Sequence, residues 1–163
     1  MTGKSILITG CSSGIGLCAA EGLRQRGYRV FATARQMQDV ASLQERGLES
    51  LQLDLADSAS IHRAADEILN RTGGRLDALF NNGAYGQAGA VEDLSRDVLR
   101  TQFETNLFGT MELTNRIIPV MRKQRSGRII INISLLGWVA LPYRGAYTAS
   151  KFALEGLTDT LRL

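Results

Sequence analysis

The chain has 163 residues, 44% of them hydrophobic and 21% charged, with a formal net charge of +3. That length suits one domain with its own core, and the composition excludes a disordered or low-complexity chain. The longest apolar runs, such as 129–133, are far too short to span a membrane. Aromatic residues are 6% of the total and are not interleaved with a basic stripe, so no nucleic-acid partner is expected.

In chain order, residues 5–9 ("SILIT") form a short apolar run that reads as a strand bounded by Gly10. No basic segment with a long apolar core precedes it, so no leader is expected and the expected setting is the cytoplasm. Residues 15–27 carry helical residues and stop at Gly27. Residues 28–34 are β-rich, 37–46 helical and 48–55 strand-like. Ser58 is a candidate N-cap for a helix over 58–73, with apolar spacing at Ile61, Ala64, Ala65, Ile68 and Leu69. A strand follows at 76–82. A long helical pattern runs from about 95 to 124 and ends in "MRKQRSGR", a solvated helix end. A fifth strand covers 127–134, and a last helix starts near Arg144. Alternating strands and helices, with apolar strands, predict an α/β fold whose doubly wound parallel sheet is covered on both faces. Ligands then bind at the carboxyl ends of the strands.

The first strand runs into "TGCSSGIG", where Gly10, Gly14 and Gly16 precede a helix. Glycines there permit a tight turn and close approach to a pyrophosphate, and the helix N-terminus offers free N–H groups and a positive dipole end. Ser12 and Ser13 are additional phosphate donors. An acid at the end of the second strand would read a ribose 2′-hydroxyl, but Arg35 stands there and favours a 2′-phosphate. NADP is therefore expected over NAD, with a solvated loop arginine as the alternative. Cys11 and Cys18, with a single His in the chain, fit no metal site and read as free thiols packed among small residues.

Tyr147 and Lys151 lie at i and i+4, on one helix face. A phenol titrates near 10, too high for a base at neutral pH; a nearby ammonium favours the phenolate and brings it towards working pH. Ser134, at the end of the fifth strand, is placed to hold a substrate oxygen beside Tyr147. Taken alone, the Tyr-Lys pair is a common surface spacing. Combined with Ser134, the glycine turn and the βα order, it is not.

At this point the sequence resembles the short-chain dehydrogenase/reductase family, with its Rossmann fold, along its whole length. "TGCSSGIG", "VFATAR" and "ALPYRGAYTASKFALEG" resemble its hydroxysteroid and retinol dehydrogenases and bacterial aldehyde reductases. The resemblance implies that Asp54 contacts the adenine ring, with Leu55 beside it and Ile15 in the phosphate turn. By its own residues, Asp54 has the alternative reading of a turn residue after a strand. The resemblance also implies that Asn82, Gly83 and Ala84 lie under the cofactor and that Asn106 supports a water-linked proton path. It implies further that Ser134 orients the carbonyl or hydroxyl, Tyr147 moves the proton, and Lys151 holds the nicotinamide ribose. Hydride passes between NADP(H) and a carbonyl or alcohol. Trp138, Leu141 and Tyr143 suggest an apolar substrate. The two long helices are expected to build a homo-dimer or tetramer.

Two departures stand out. Family members read Asn-Asn-Ala-Gly where residues 81–84 read "NNGA"; a positive φ at Ala84 would cost about 1 kcal/mol or more, unless Gly83 takes the turn. Family members also continue beyond the last helix, so the chain reads as truncated after the fifth strand and the helix that follows it, lacking most of a substrate pocket. The fifth strand is then expected to be a bare apolar edge prone to pairing or aggregation. A non-catalytic dinucleotide-binding chain is the alternative to an enzyme, and a scaffold acting through exposed helices a distant third.

Overall fold

The computed structural model describes residues 3–163. Five parallel strands form one sheet in the order β3-β2-β1-β4-β5: β1 (Ser5–Ile8), β2 (Arg29–Ala34), β3 (Glu49–Gln52), β4 (Ala78–Asn81) and β5 (Arg128–Ile131). Chain order reverses between β3 and β4, which places β4 on the far side of β1. That switch opens a crevice at the carboxyl ends of β1 and β4.

Alternation along β1 explains the two layers. Leu7 faces one side with Phe31, Leu79, Ile61, Ile68, Leu113 and Ile117, packing α3 (Ser58–Arg71) and α5 (Thr110–Gln124). Ile6 and Ile8 face the other with Val30, Ala32, Val40 and Leu43, packing α1 (Gly14–Gln25) and α2 (Met37–Glu45). Strand residues of opposite parity serve opposite layers, as a period of two requires. The last helix, α6 (Gly145–Arg162), packs on α4 (Arg96–Phe103) and on the turn that follows it.

Gly27 ends α1 at φ 85°, as its sequence position suggests. Elsewhere boundaries move. The N-cap of α3 is Asp57, not Ser58: the Asp57 carboxylate accepts from the Ala59 N–H at 2.9 Å. An ionised acceptor at the dipole's positive end outcompetes a hydroxyl one residue later. The strands are shorter than their apolar runs. β5 stops at Ile131, so Ser134 does not end a strand; it caps a short 3₁₀ turn, Leu135–Gly137. The pattern over 95–124 is not one helix. A π-helical turn, Glu104–Gly109, separates α4 from α5. Gly109 sits there because a Cβ would overlap the Leu55 carbonyl oxygen. Cys11 is buried, but Cys18 is exposed rather than packed. Among the described residues β5 pairs only with β4, and Ile130 is exposed. No helix among them is long and apolar enough to cross a membrane, and no cluster of His, Cys, Asp or Glu could hold a metal.

Candidate active site

The turn after β1 is shaped for close approach. Gly10 and Gly14 take φ of 69° and 58°, where a side chain is strained. A Cβ on Gly10 would stand 2.7 Å from the Gly83 Cα, and one on Gly16 would overlap the Gly10 carbonyl. Nothing lies within 4 Å of where a Gly14 Cβ would point. Ser13 caps α1 without using its side chain, so that side chain claims none of the helix's first N–H groups. Ile15 in the first turn is 63% exposed. This is a cradle for an anion.

A cleft of about 210 Å³ runs from that cradle across the strand ends. It is lined by Gly10, Ser12, Arg35, Asp54, Leu55, Gly83, Ala84 and Tyr85. Half of the sequence-selected cofactor residues therefore meet in this one cleft, which opens from the glycine cradle. Asp54 is also the turn residue its alternative reading described: its carboxylate accepts from the Ala56 N–H at 2.9 Å. Asp39, in the first turn of α2, lines the same cleft beside Arg35. Sequence reasoning missed it, because it looked for an acid only at the strand end.

Thr9, also missed, holds the floor. Its buried hydroxyl accepts from the N–H groups of Asn82 (3.0 Å) and Gly83 (2.8 Å). The Asn82 amide donates to the Thr9 and Gly10 carbonyls, both at 3.1 Å, and accepts from Asn132 at 3.0 Å. Neither Gly83 nor Ala84 has a positive φ, so the expected strain at Ala84 is absent. Gly83 serves closeness instead: a Cβ there would meet Leu55 Cδ1 at 3.0 Å and Thr9 Oγ1 at 3.2 Å.

A second cleft adjoins the first at Ala84 and Tyr85 and is completed by Gly86, Leu136, Arg144 and Tyr147. Lys151 lies one turn beyond Tyr147 on α6, only 3% exposed, with its Nζ 5.6 Å from the Tyr147 ring centroid. The Lys151 ammonium donates to the Asn132 carbonyl at 2.9 Å. Burial pulls its pKa down to about 8. Ser134 lies two residues before Leu136, and its hydroxyl accepts from the Leu136 N–H at 3.1 Å. The Asn106 side chain does not point to this pair. Its amide accepts from the Tyr85 N–H (3.1 Å) and donates to the Tyr85 carbonyl (2.9 Å) and the Ser150 hydroxyl (3.2 Å).

The short chain dehydrogenase family profile matches residues 4–163. The chain is 42% identical over 160 residues to the uncharacterized oxidoreductase YbbO of Escherichia coli K12, covering 98% of this chain and 60% of that protein. It is 38% identical over 168 residues to human 17-beta-hydroxysteroid dehydrogenase type 1, covering 96% and 50%. Among solved structures, an F189W actinorhodin polyketide ketoreductase with NADPH aligns at a TM-score of 0.90 and 30% identity, over 98% of this chain and 64% of that one. A Burkholderia phymatum short chain dehydrogenase/reductase in complex with NAD aligns at 0.89 and 29%, over 98% and 59%. The chain thus spans roughly half to two thirds of the length of these proteins. By profile, identity and fold together, it belongs to the short-chain dehydrogenase family.

Proposed function

We propose that the protein is an NADP(H)-dependent oxidoreductase interconverting a carbonyl compound and its alcohol, with Tyr147 as general acid and base. The observation that carries this reading is the buried Lys151 ammonium beneath the Tyr147 ring, at a cleft that adjoins the glycine cradle. The dinucleotide, when bound, supplies or accepts the hydride. The protein's own groups bind, orient and move the proton. Lys151, one helical turn from Tyr147, places an ammonium beside the phenol that gives and takes the proton. Lys151 keeps further N–H donors for a ribose hydroxyl, since Asn132 takes one. The Ser134 hydroxyl, on the turn beside the cleft, orients the substrate oxygen. Asn106 commits its side chain to Tyr85 and Ser150. It therefore acts through its main chain in the π turn, where carbonyls leave the regular ladder and can hold a water for proton relay.

NADP is favoured over NAD because Arg35 borders the cleft and makes no ion pair among the described residues. The structural relatives divide, one solved with NADPH and one with NAD. Trp138, Leu141 and Tyr143 are exposed near the start of α6, which suits an apolar carbonyl substrate, with reduction as the working direction. Exposed Phe108 in the π turn and exposed Phe152 and Leu157 on α6 suit homo-oligomer assembly. The test is nicotinamide absorbance with NADPH or NADH against apolar aldehydes, ketones and alcohols. Turnover with NADPH preferred supports the reading. Tight NADPH binding with no turnover on any of them supports a dinucleotide-binding protein instead.

A further inference from the structure

Gln102 is a polar side chain with 0% exposure, in the last turn of α4. Burying a primary amide is costly unless every group finds a partner. Here both ends are used, and by one loop. Its Oε1 accepts from the Gln87 N–H at 2.7 Å, and its Nε2 donates to the Tyr85 carbonyl at 2.9 Å. Four residues on, Asn106 grips the Tyr85 N–H and carbonyl from the π turn. Two amides thus hold the main chain of residues 85–87 against the helix. A third tie comes from the far side: the Gly89 N–H donates to the Tyr143 carbonyl at 3.0 Å, and Tyr143 takes a φ of 59° that side chains avoid.

Gly86 is the centre of the clamped segment, and it faces Tyr147. A Cβ on Gly86 would come 3.3 Å from Tyr147 Cδ2 and 3.6 Å from Cγ. The bare backbone of Gly86 is therefore the wall on which the phenol ring rests. If residues 85–87 shift, the ring's seat shifts with them. A residue needed only for packing at position 102 would be apolar; an amide with both ends engaged specifies where the loop's N–H and C=O groups sit.

We propose that Gln102 is a positioning residue for the proton-transfer step, acting through the Tyr85–Gln87 backbone to set the place of the Tyr147 phenol. It touches neither substrate nor dinucleotide. The proposal rests on the reading of Tyr147 as acid and base. The floor at Asn82 and Gly83 is held separately by Thr9, whereas Tyr85 borders both clefts, so NADPH affinity is read beside kcat to tell the two effects apart.

The experiment compares Gln102→Leu, which removes both bonds, with Gln102→Glu, which keeps the acceptor for Gln87 but cannot donate to Tyr85 when ionised. Cooperative melting confirms folding. Two readouts follow: kcat alongside the NADPH dissociation constant, and the phenol titration of Tyr147 by absorbance difference against the same protein carrying Tyr147→Phe. Misplacing a reacting group by an ångström costs about 10²-fold. Gln102→Leu is therefore expected to lower kcat about 10- to 100-fold with NADPH affinity within about threefold of wild type. Gln102→Glu falls between, and the Tyr147 titration moves in both. A folded Gln102→Leu protein with wild-type kcat and an unmoved Tyr147 titration overturns the proposal. If the wild type turns over no carbonyl, the functional reading fails by itself, and the titration arm decides alone whether Gln102 seats the phenol.

Discussion

Thr9→Val tests whether one buried hydroxyl holds the floor of the dinucleotide cleft. Valine keeps the shape of threonine and deletes the oxygen, so the N–H groups of Asn82 and Gly83 lose the acceptor now 3.0 and 2.8 Å away. A buried donor left without a partner costs about 1–3 kcal/mol. Asn82 and Gly83 are only partly buried, and the Asn82 amide still anchors to the Thr9 and Gly10 carbonyls. Both facts favour the lower end, about 2 kcal/mol in total. For a domain of this size that lowers the melting temperature by roughly 4–8 °C. Thr9→Ser keeps the oxygen and loses one methyl, about 1 kcal/mol, so it should melt between the two. Thermal and urea melts give the stabilities, and NADPH titration by fluorescence reports the cleft. Weaker NADPH binding should accompany the Val change and be nearly absent with Ser. If Thr9→Val melts with the wild type, or Ser is as damaging as Val, the hydroxyl does not hold the floor.

Three further outcomes follow from the same geometry. Lys151 binds its proton less firmly folded (about 8) than as a free side chain (about 10.4), so unfolding takes up a proton between those values. Its contribution therefore rises with pH across that window, by on the order of 3 kcal/mol. Cys11, pushed up to about 12 by burial, works in the opposite direction above about 9, so the quantity to measure is wild type minus Lys151→Met in urea melts from pH 7 to pH 10; a flat difference would mean a solvated ammonium. A thiol reagent at neutral pH should label exposed Cys18 at once and buried Cys11 only on unfolding, one equivalent by mass; two rapid equivalents in the folded protein would contradict the packing. Arg35→Ala should weaken NADPH more than NADH, and Asp39→Asn should shift preference further towards NADPH by removing a carboxylate from the same cleft; equal effects on both cofactors would detach Arg35 from the 2′-phosphate.

The parts of this structure visible in the sequence are those set by short-range pattern. The unbroken apolar run in "SILIT" and the β-rich residues 28–34 mark strands with two buried faces, and the glycines at 10, 14 and 16 mark a turn that backbone sterics alone demand. Tyr147 and Lys151 are legible because an i, i+4 spacing is itself a geometry. The parts that stayed hidden depend on contacts between distant segments. Thr9 reaches Asn82 and Gly83 across 73 and 74 positions. The π turn at Glu104–Gly109 has no local signature; it arises where Gly109 meets Leu55 and Asn106 meets Tyr85 and Ser150. Asp57 displaced Ser58 because neighbouring residues with similar capping chemistry are separated only by charge and backbone placement. The transposed Gly83 and Ala84 suggest strain only if the turn needs a positive φ, whereas the requirement at 83 is room for Leu55 and Thr9.

In the proposed mechanism Tyr147 moves the proton while the rest of the site binds and orients. The most direct measurement is NADPH oxidation with an apolar aldehyde by wild type and Tyr147→Phe, together with NADPH affinity of both. Loss of the hydroxyl alone should lower kcat by about 10²–10⁴-fold, with NADPH bound as before, because the ring still rests on Gly86 and Lys151 is still held by Asn132. Turnover by Tyr147→Phe within a few-fold of the wild type would mean that another group moves the proton.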